Sequence, residues 1–461
     1  MDRMLLAAAA LACAGLWAIL PRTAASAPRP FVAMVLLLTC TSLLPNPLAA
    51  PVQTLALLGA LVGWLANPDG RRGRFQVGLV IVATSYFLVL LAHPNVPSLH
   101  VGILGVRKST WALWGLVLGA SVSGSRVAAA WRWTVASLWV AVAASVALFL
   151  LAPALAQNIA GSEKANVYTG LIDGEIRMHG IFAGPFHAAL AGIVLIGAGV
   201  AIWGSKKWLA VLVVAMGLVG TYLTLVRTAY VAIGLMVGAL ILVSPSVGSF
   251  MRRLMMSVSA AVIGVVAVAI TRPAALSTVE SISGAASDDR FLNRVPGWIE
   301  GLAMFSQSPI IGWGPGAAGD VMGEYFIGLH RHINAHNLLL KYAVEGGLIA
   351  VLLVALLSIS LIRAIDPSTP TGMSALLAFV GLLGLGLTVS SVEALPVSYL
   401  VFVLVGLALP GQRQASPGVG AGSTEIGRRD SLTDPGSARR PASLGPVVSG
   451  RPVGGRRSVV S

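Results

Sequence analysis

The sequence predicts an all-α, polytopic membrane protein, a bundle of roughly 12 or 13 spanning helices with one large outward-facing loop domain. Hydrophobic residues make up 56% of the 461 residues and charged residues only 10%, whereas a soluble domain carries roughly 25% charged residues. Apolar runs of about 15–20 residues follow one another, and about 20 residues cross a bilayer as a helix. This composition excludes soluble globular, disordered, collagenous and disulfide-scaffold proteins, because one or two cores could not bury so much apolar surface.

The apolar runs define the individual spans. The stretch 31–66 is short for two full spans, which leaves the count at 12 or 13. Residues 1–27 are similar to a secretory signal peptide, but cleavage would place Arg71, Arg72 and Arg74 outside, so we predict an uncleaved first span. The predicted spans are residues 4–20, 31–48, 50–66, 76–92, 110–124, 134–152, 186–204, 208–226, 228–243, 254–270, 339–362, 372–391 and 395–410.

The basic residues predict the orientation of the spans. The net charge is +14, but most of the positive charges lie in short loops between apolar runs, which argues against a nucleic-acid partner. If the spans alternate, the clusters fall on one side, which the positive-inside rule assigns to the cytoplasm. These clusters are Arg71/Arg72/Arg74, Arg126/Arg132, Lys206/Lys207, Arg252/Arg253, Arg363 and the arginines of the tail. Residues 93–109, 153–185, 227 and 271–338 then face outward.

The non-membrane parts complete the predicted domain organisation. Residues 1–410 form the transmembrane domain, and residues 271–338 form an outward-facing, extracytoplasmic loop within it. This loop mixes charged with apolar residues, and residues 296–307 have the pattern of an amphipathic helix whose apolar face would contact the membrane surface. Residues 411–461 are rich in Gly, Ser, Pro and Arg, which predicts a disordered basic cytoplasmic tail that could touch anionic membrane lipid.

The ionisable residues indicate chemistry at the outer surface. Ion-coupled transporters place Asp, Glu or His near the middle of the bilayer, whereas here such residues collect at outward-facing ends and loops. Arginines converging at a membrane surface suit a phosphate or pyrophosphate group, because Arg offers bidentate donors and keeps its charge. A histidine within reach would be the natural base.

Five ordered motifs resemble the O-antigen ligase and O-antigen polymerase superfamily. Residues 336–347 are similar to its His-Asn pair followed about ten residues later by Gly. Residues 294–298 and 308–316 are similar to its Arg-x3-Trp and Pro-x2-Gly-x-Gly elements. Residues 227–229 resemble its Arg-Thr/Gly-Ala turn, and residues 177–185 its Arg-x2-Gly-x-Phe segment. Gly347 is followed by Leu-Ile-Ala, which departs from the ligase form of the signature and favours the polymerase form.

The resemblance implies a glycan transferase of the cytoplasmic (inner) membrane. The donor would be a glycan on a polyprenyl diphosphate lipid, such as undecaprenyl diphosphate, and the acceptor a sugar hydroxyl of a glycan or glycolipid, as in lipopolysaccharide. His336 would be the catalytic base, and Arg177, Arg227 and Arg294 would bind the diphosphate. No metal or other cofactor is implied. Polysaccharide-assembly proteins would be further partners.

Other hypotheses remain open at this stage. The chain could be a lipid-linked glycan flippase or another polytopic transporter, or a non-enzymatic partner of a polysaccharide-assembly machine. His336 could be an interfacial histidine bonded to backbone, or could bind zinc with His330 and His332. Arg177 and Arg294 could pair with nearby acids, whereas Lys341 and Glu345 are spaced to pair with each other on a helix. No residue identifies the acceptor, which is the only difference between ligation and polymerisation.

Overall fold

A computed structural model describes residues 73–122, 124–152, 177–244, 294–319 and 335–410, together with the single helical residues Val35, Leu38, Thr39, Leu61, Trp64, Leu65, Gly248, Met251 and Met255. All regular structure within these ranges is helical, which confirms the predicted all-α class. The predicted spans 4–20, 31–48, 50–66 and 254–270, the signal-like residues 1–27 and the tail 411–461 lie wholly or mostly outside the described residues, so the count of 12 or 13 spans stays a prediction.

The helices of the described ranges are labelled in chain order. They are α1 (Arg74–Val89), α2 (Leu99–Thr110), α3 (Trp114–Ala120), α4 (Val127–Leu151), α5 (Pro185–Ile202), α6 (Lys207–Leu223), α7 (Arg227–Leu242), α8 (Val295–Gln307), α9 (Leu338–Ala364), α10 (Pro370–Gly386) and α11 (Val397–Ala408). Short 3-10 helices cover Leu90–Ala92, Trp111–Leu113, Gly124–Arg126 and Ser391–Glu393.

Several of these helices can cross a membrane. In the described part of the chain, the helical stretches Arg74–Ala92, Gly124–Leu151, Pro185–Ile202 and Leu338–Ala364 are long and apolar enough to do so, with mean hydropathy between 2.0 and 2.4. The helices α6, α7, α10 and α11 are apolar but shorter. All of them overlap predicted spans, although the stretch Gly124–Leu151 begins ten residues before the predicted span 134–152, and the chain is a multi-pass membrane protein.

Helix α2 differs from the prediction. We predicted an outward loop over 93–109, but the structure is helical from Leu99, and the N–H of Val101 donates to the Ser98 hydroxyl at 3.3 Å, which caps the helix. The charges of Arg107 and Lys108 concealed this helix in the sequence. The buried face of α2 consists mainly of small residues. On this face, Gly105 packs against the backbone of residues 315–316.

The bundle is built around α5, which is buried along most of its length and packs against α6 and α10. Small residues allow the helix backbones to approach closely, as is usual in membranes. A Cβ atom on Gly217 of α6 would lie 2.6 Å from the carbonyl oxygen of Gly192 in α5. Helix α10 in turn packs on α7, where a Cβ atom on Gly384 would lie 2.8 Å from Cα of Ala232. This close packing fixes the ends of α7 and α10 relative to each other.

Candidate active site at the start of α9

Helix α9 is interrupted at Gly347, whose backbone is left-handed and non-helical (φ 64°, ψ −162°). We call the segment 308–319 the glycine loop. It forms hydrogen bonds with the backbone of α9 at this interruption. The N–H groups of Trp313 and Gly314 donate to the carbonyls of Val344 and Glu345 at 2.8 and 2.9 Å, and the N–H of Leu348 donates to the carbonyl of Pro309 at 2.8 Å. Irregular backbone at membrane depth must have its polar groups satisfied by protein. The glycine loop supplies these partners.

Three buried charged side chains meet beside the glycine loop. The Lys341 ammonium lies 2.6 Å from Glu345 Oε1 and 2.8 Å from Glu393 Oε1, and these side chains are 0% exposed for Lys341 and Glu345 and 5% for Glu393. The predicted pairing of Lys341 with Glu345 is therefore confirmed. The third member was not predicted, because Glu393 follows α10 and reaches Lys341 only through the tertiary fold.

We call Lys341, Glu345 and Glu393 the ion cluster. Backbone and hydroxyl groups supply its further hydrogen bonds. Lys341 Nζ donates to the carbonyl of Ala318 at 3.1 Å, and the N–H of Gly316 donates to Glu345 Oε1 at 3.0 Å. The hydroxyl of Ser109, near the end of α2, donates to Glu345 Oε2 at 2.5 Å. The cluster thus connects α2, the glycine loop, α9 and the 3-10 helix Ser391–Glu393.

His336 lies directly before α9 in a left-handed backbone conformation (φ 40°). This conformation costs a non-glycine residue about 1–2 kcal/mol, and such strain is concentrated at functional sites. The next residue, Asn337, caps α9: its Oδ1 accepts from the N–H of Leu340 at 3.0 Å, while its Nδ2 donates to the carbonyl of Leu387, after α10, at 2.9 Å. The residue before, Ala335, is fully buried. His336 is therefore held from both sides.

The structure brings the segments of Arg177 and Arg227 together. Arg227 is the first residue of α7. Arg177 Nε donates to the carbonyl of Thr224 at 3.1 Å, and its guanidinium lies 5.3 Å from the ring centre of Phe186. Leu225, which lies between Thr224 and Arg227 in the chain, has a left-handed backbone (φ 53°). Sequence analysis missed the roles of Phe186 and Thr224, since neither residue type signals an arginine contact.

His336 and Arg227 lie at the same end of the bundle. Helix α10 ends at Gly386, and Leu338 of α9 packs against this glycine. Two residues earlier, Gly384 contacts Ala232, which is about 7.5 Å along α7 from Arg227 at 1.5 Å per residue. We call this end, where α7 and α9 begin and α10 ends, the site end.

Arg294 lies at the N-terminus of α8, which confirms the helix predicted over 296–307. Gly301 packs against Leu340 of α9, and Met304 shares a buried apolar cluster with Val344 of α9. Helix α8 therefore runs in the same direction as the first part of α9, and Arg294 lies at its end on the side where α9 begins. Two of the apolar residues predicted to face the membrane are exposed, Ile299 at 63% and Leu302 at 58%.

His179 offers a contrast with His336. It lies two residues after Arg177, is 4% exposed, and its Nδ1 is 3.2 Å from the carbonyl oxygen of Gly180. Burial lowers the pKa of the His179 imidazole, although hydrogen bonds to the backbone of Gly180 and Phe182 oppose this effect. His179 is a buried, packed side chain, whereas His336 is partly exposed.

Residues 212–355 match the family model described as O-antigen ligase. The matched range includes Arg227, Arg294, the glycine loop and His336, and it begins after Arg177. No curated protein compared with the chain matches it.

Proposed function

Since the chain carries an O-antigen ligase domain over residues 212–355 and is a member of the O-antigen ligase and polymerase superfamily, we propose that it is a membrane glycan transferase of cell-surface polysaccharide synthesis. It transfers a glycan from a polyprenyl diphosphate lipid to a sugar hydroxyl at the outer face of the cytoplasmic membrane. The observation that carries the proposal is the position of the strained His336 at the site end, which it shares with Arg227.

His336 acts as the general base in this proposal. The acceptor hydroxyl loses its proton to the imidazole as its oxygen attacks the anomeric carbon of the donor sugar. The bond from that carbon to the diphosphate oxygen breaks, and the polyprenyl diphosphate leaves with the bonding electron pair. Attack is direct, without a covalent enzyme intermediate, and neither metal nor nucleotide takes part.

The arginines bind the diphosphate and offset the charge that develops on it. Arg177 supports this role because the Thr224 carbonyl and the Phe186 ring orient its guanidinium. Arg227 adds a guanidinium at a helix N-terminus, where the backbone N–H groups also favour anions. Arg294 completes the set from the N-terminus of α8.

The charge distribution supports an outward-facing site. Lys206 directly precedes α6 and Lys207 is its first residue, and Arg363 lies in the last turn of α9. These positions are at the opposite end of the helices from the site end. Because basic residues are retained in the cytoplasm, the site end faces outward. The buried charges at Lys341, Glu345 and Glu393 pair with one another, which favours an enzyme over an ion-coupled transporter.

The test is a glycan profile from a strain that lacks this protein, complemented with wild type, with His336→Ala, or with His100→Ala. His100 is an exposed histidine of α2 outside the site and is the matched control. The membrane level of each variant is measured by immunoblot. Lipid-linked donor on the outer leaflet is measured with a glycosidase added to intact spheroplasts.

The outcomes separate the hypotheses. Loss of long chains on the acceptor with accumulation of long lipid-linked chains outside identifies a ligase, and retention of single repeat units identifies a polymerase. Donor confined to the inner leaflet would instead support a flippase. A wild-type profile from His336→Ala at normal membrane level would contradict the assignment of the base and favour the transport or assembly hypotheses.

A further inference from the structure

We propose that Lys341 and Glu345 are positioning residues of the transfer reaction: with Glu393, they hold the start of α9, and hence His336, against the glycine loop. This inference rests on the proposed function for its catalytic consequence. Its structural part, the joining of α9 to the loop, can be tested independently.

Burial makes the charges of the ion cluster costly. Lys341 and Glu345 are fully buried and Glu393 nearly so, and taking charges out of water costs free energy that ion pairing does not reliably recover. Apolar side chains at these places would stabilise a membrane bundle at least as well. Ionisable residues inside membrane segments are therefore expected to serve function.

The ion cluster is connected to the first turn of α9 and to the segments around it. The N–H of Lys341 donates to the carbonyl of Asn337 at 3.0 Å, so Lys341 lies one helical turn beyond the cap of α9. Its ammonium contacts the glycine loop through the Ala318 carbonyl and the segment after α10 through Glu393. Asn337 contacts that same segment through Leu387. The first turn of α9 is thus attached to the segment after α10 at two points, one directly beside His336.

The ion cluster also supports the strained backbone of His336. A left-handed conformation in a non-glycine residue persists only where the surroundings over-determine it. On the C-terminal side of His336, the Asn337 cap and the ion cluster hold the backbone in this conformation. On the N-terminal side, Ala335 packs with Ala317 and Ala318 of the glycine loop. The loop that the ion cluster holds is therefore the same loop that holds Ala335.

The experiment uses the full chain in lipid nanodiscs. The main variant is the neutral triple replacement Lys341→Met, Glu345→Gln and Glu393→Gln, which keeps side-chain volume and leaves no unpaired charge in the cluster. The second variant, Ser109→Ala, removes one hydrogen bond to Glu345 and leaves the charges intact. Its matched control is Ser137→Ala, a buried serine of α4 that bonds only a carbonyl of its own helix in the described contacts, that of Trp133.

Two measurements are made. Steady-state kinetics with a polyprenyl diphosphate-linked glycan give kcat and KM for the donor. Hydrogen exchange reports the backbone of residues 312–319 and 337–345. For the triple variant we expect kcat to fall roughly 10- to 100-fold with KM nearly unchanged, and exchange to increase in both segments but not in α5. For Ser109→Ala we expect a smaller fall in kcat, and for Ser137→Ala none.

A triple variant that accumulates in the membrane with wild-type kcat and wild-type exchange would overturn the proposal. If the triple variant does not accumulate, Ser109→Ala decides, and a wild-type kcat and exchange pattern would then overturn it. Should the wild-type protein show no transfer, the proposed function fails, and the exchange data alone judge whether the ion cluster holds the loop.

Discussion

Gly312 lies so close to Gly347 that a Cβ atom on Gly312 would stand 2.6 Å from the backbone nitrogen of Gly347. Both residues are left-handed, with φ of 69° and 64°. The two glycines belong to different sequence motifs, one in the loop after α8 and one in the interrupted helix α9. Their contact shows that these motifs form one structural unit. Glu345 belongs to the helical part of this unit, and His336 lies directly before that helix.

This contact predicts that Gly347→Ala destabilises the protein. An added Cβ would collide with the carbonyl of Ile310, and a backbone at φ 64° and ψ −162° is essentially confined to glycine, at a cost of about 1–3 kcal/mol for another residue. We expect a lower unfolding temperature in detergent and loss of transfer activity. Gly234→Ala is the matched control, because Gly234 lies in α7 with open space around it. Alanine favours a helix over glycine by about 1 kcal/mol, so a destabilised Gly234→Ala variant would contradict the argument.

The interruption of α9 marks the limit of what the sequence could predict. The bounds of α5, α6, α7 and α9 were predicted within a few residues, because long apolar runs dominate their sequence. The Gly346-Gly347 pair did not reveal that the helix breaks there, since the break depends on hydrogen bonds from the glycine loop. The same limit explains why α2 was missed, because its packing partner, the loop at Gly316, is distant in sequence.

The sequence supplied candidates for the site residues but no sign of the contacts that support them. The motifs singled out His336 and the arginines as candidates because particular residue types recur at particular spacings. Glu393 lies 48 residues beyond Glu345 and had no motif to identify it, yet both contact the same ammonium. Phe186 was equally hidden, because an aromatic residue at the start of an apolar helix is ordinary. Positioning contacts arise from tertiary structure, which local spacing does not encode.

Phe186→Leu is expected to weaken donor binding. The ring of Phe186 attracts the Arg177 guanidinium at 5.3 Å, and a cation–π contact of about 0.5–2 kcal/mol corresponds to roughly a 2- to 30-fold change in affinity. KM for the lipid-linked donor should rise within this range, with kcat less affected. Phe186→Tyr keeps the aromatic face and should retain most of the affinity. Equal KM values for the leucine and tyrosine variants would exclude this role for the ring.

The buried His179 predicts a pH dependence of stability. Because burial lowers the pKa of its imidazole in the folded protein, the unfolded chain binds the proton more readily. Stability is therefore complete above the unfolded pKa, about 6.5, and is lost as the pH falls below it. Thermal unfolding of wild type between about pH 7.5 and pH 5 should show this decline, and His179→Gln should show a smaller one. A decline of equal size in both proteins would assign it to other groups.

Asn337 allows its two contacts to be separated by substitution. Asn337→Asp keeps an oxygen that accepts from the Leu340 N–H, so the cap of α9 survives, but it loses the donor to the Leu387 carbonyl. Asn337→Ala loses both, and the lost cap alone costs about 1 kcal/mol. We expect the alanine variant to have the lower unfolding temperature.

We expect both variants to lose kcat, because the bond to Leu387 holds the residue beside His336 and a small displacement of a catalytic group is costly. Kinetics and thermal unfolding of the same purified samples measure the two effects. If Asn337→Asp turns over donor at the wild-type rate, the bond to Leu387 has no part in placing His336, and the placement must then come from the ion cluster and the packing of Ala335.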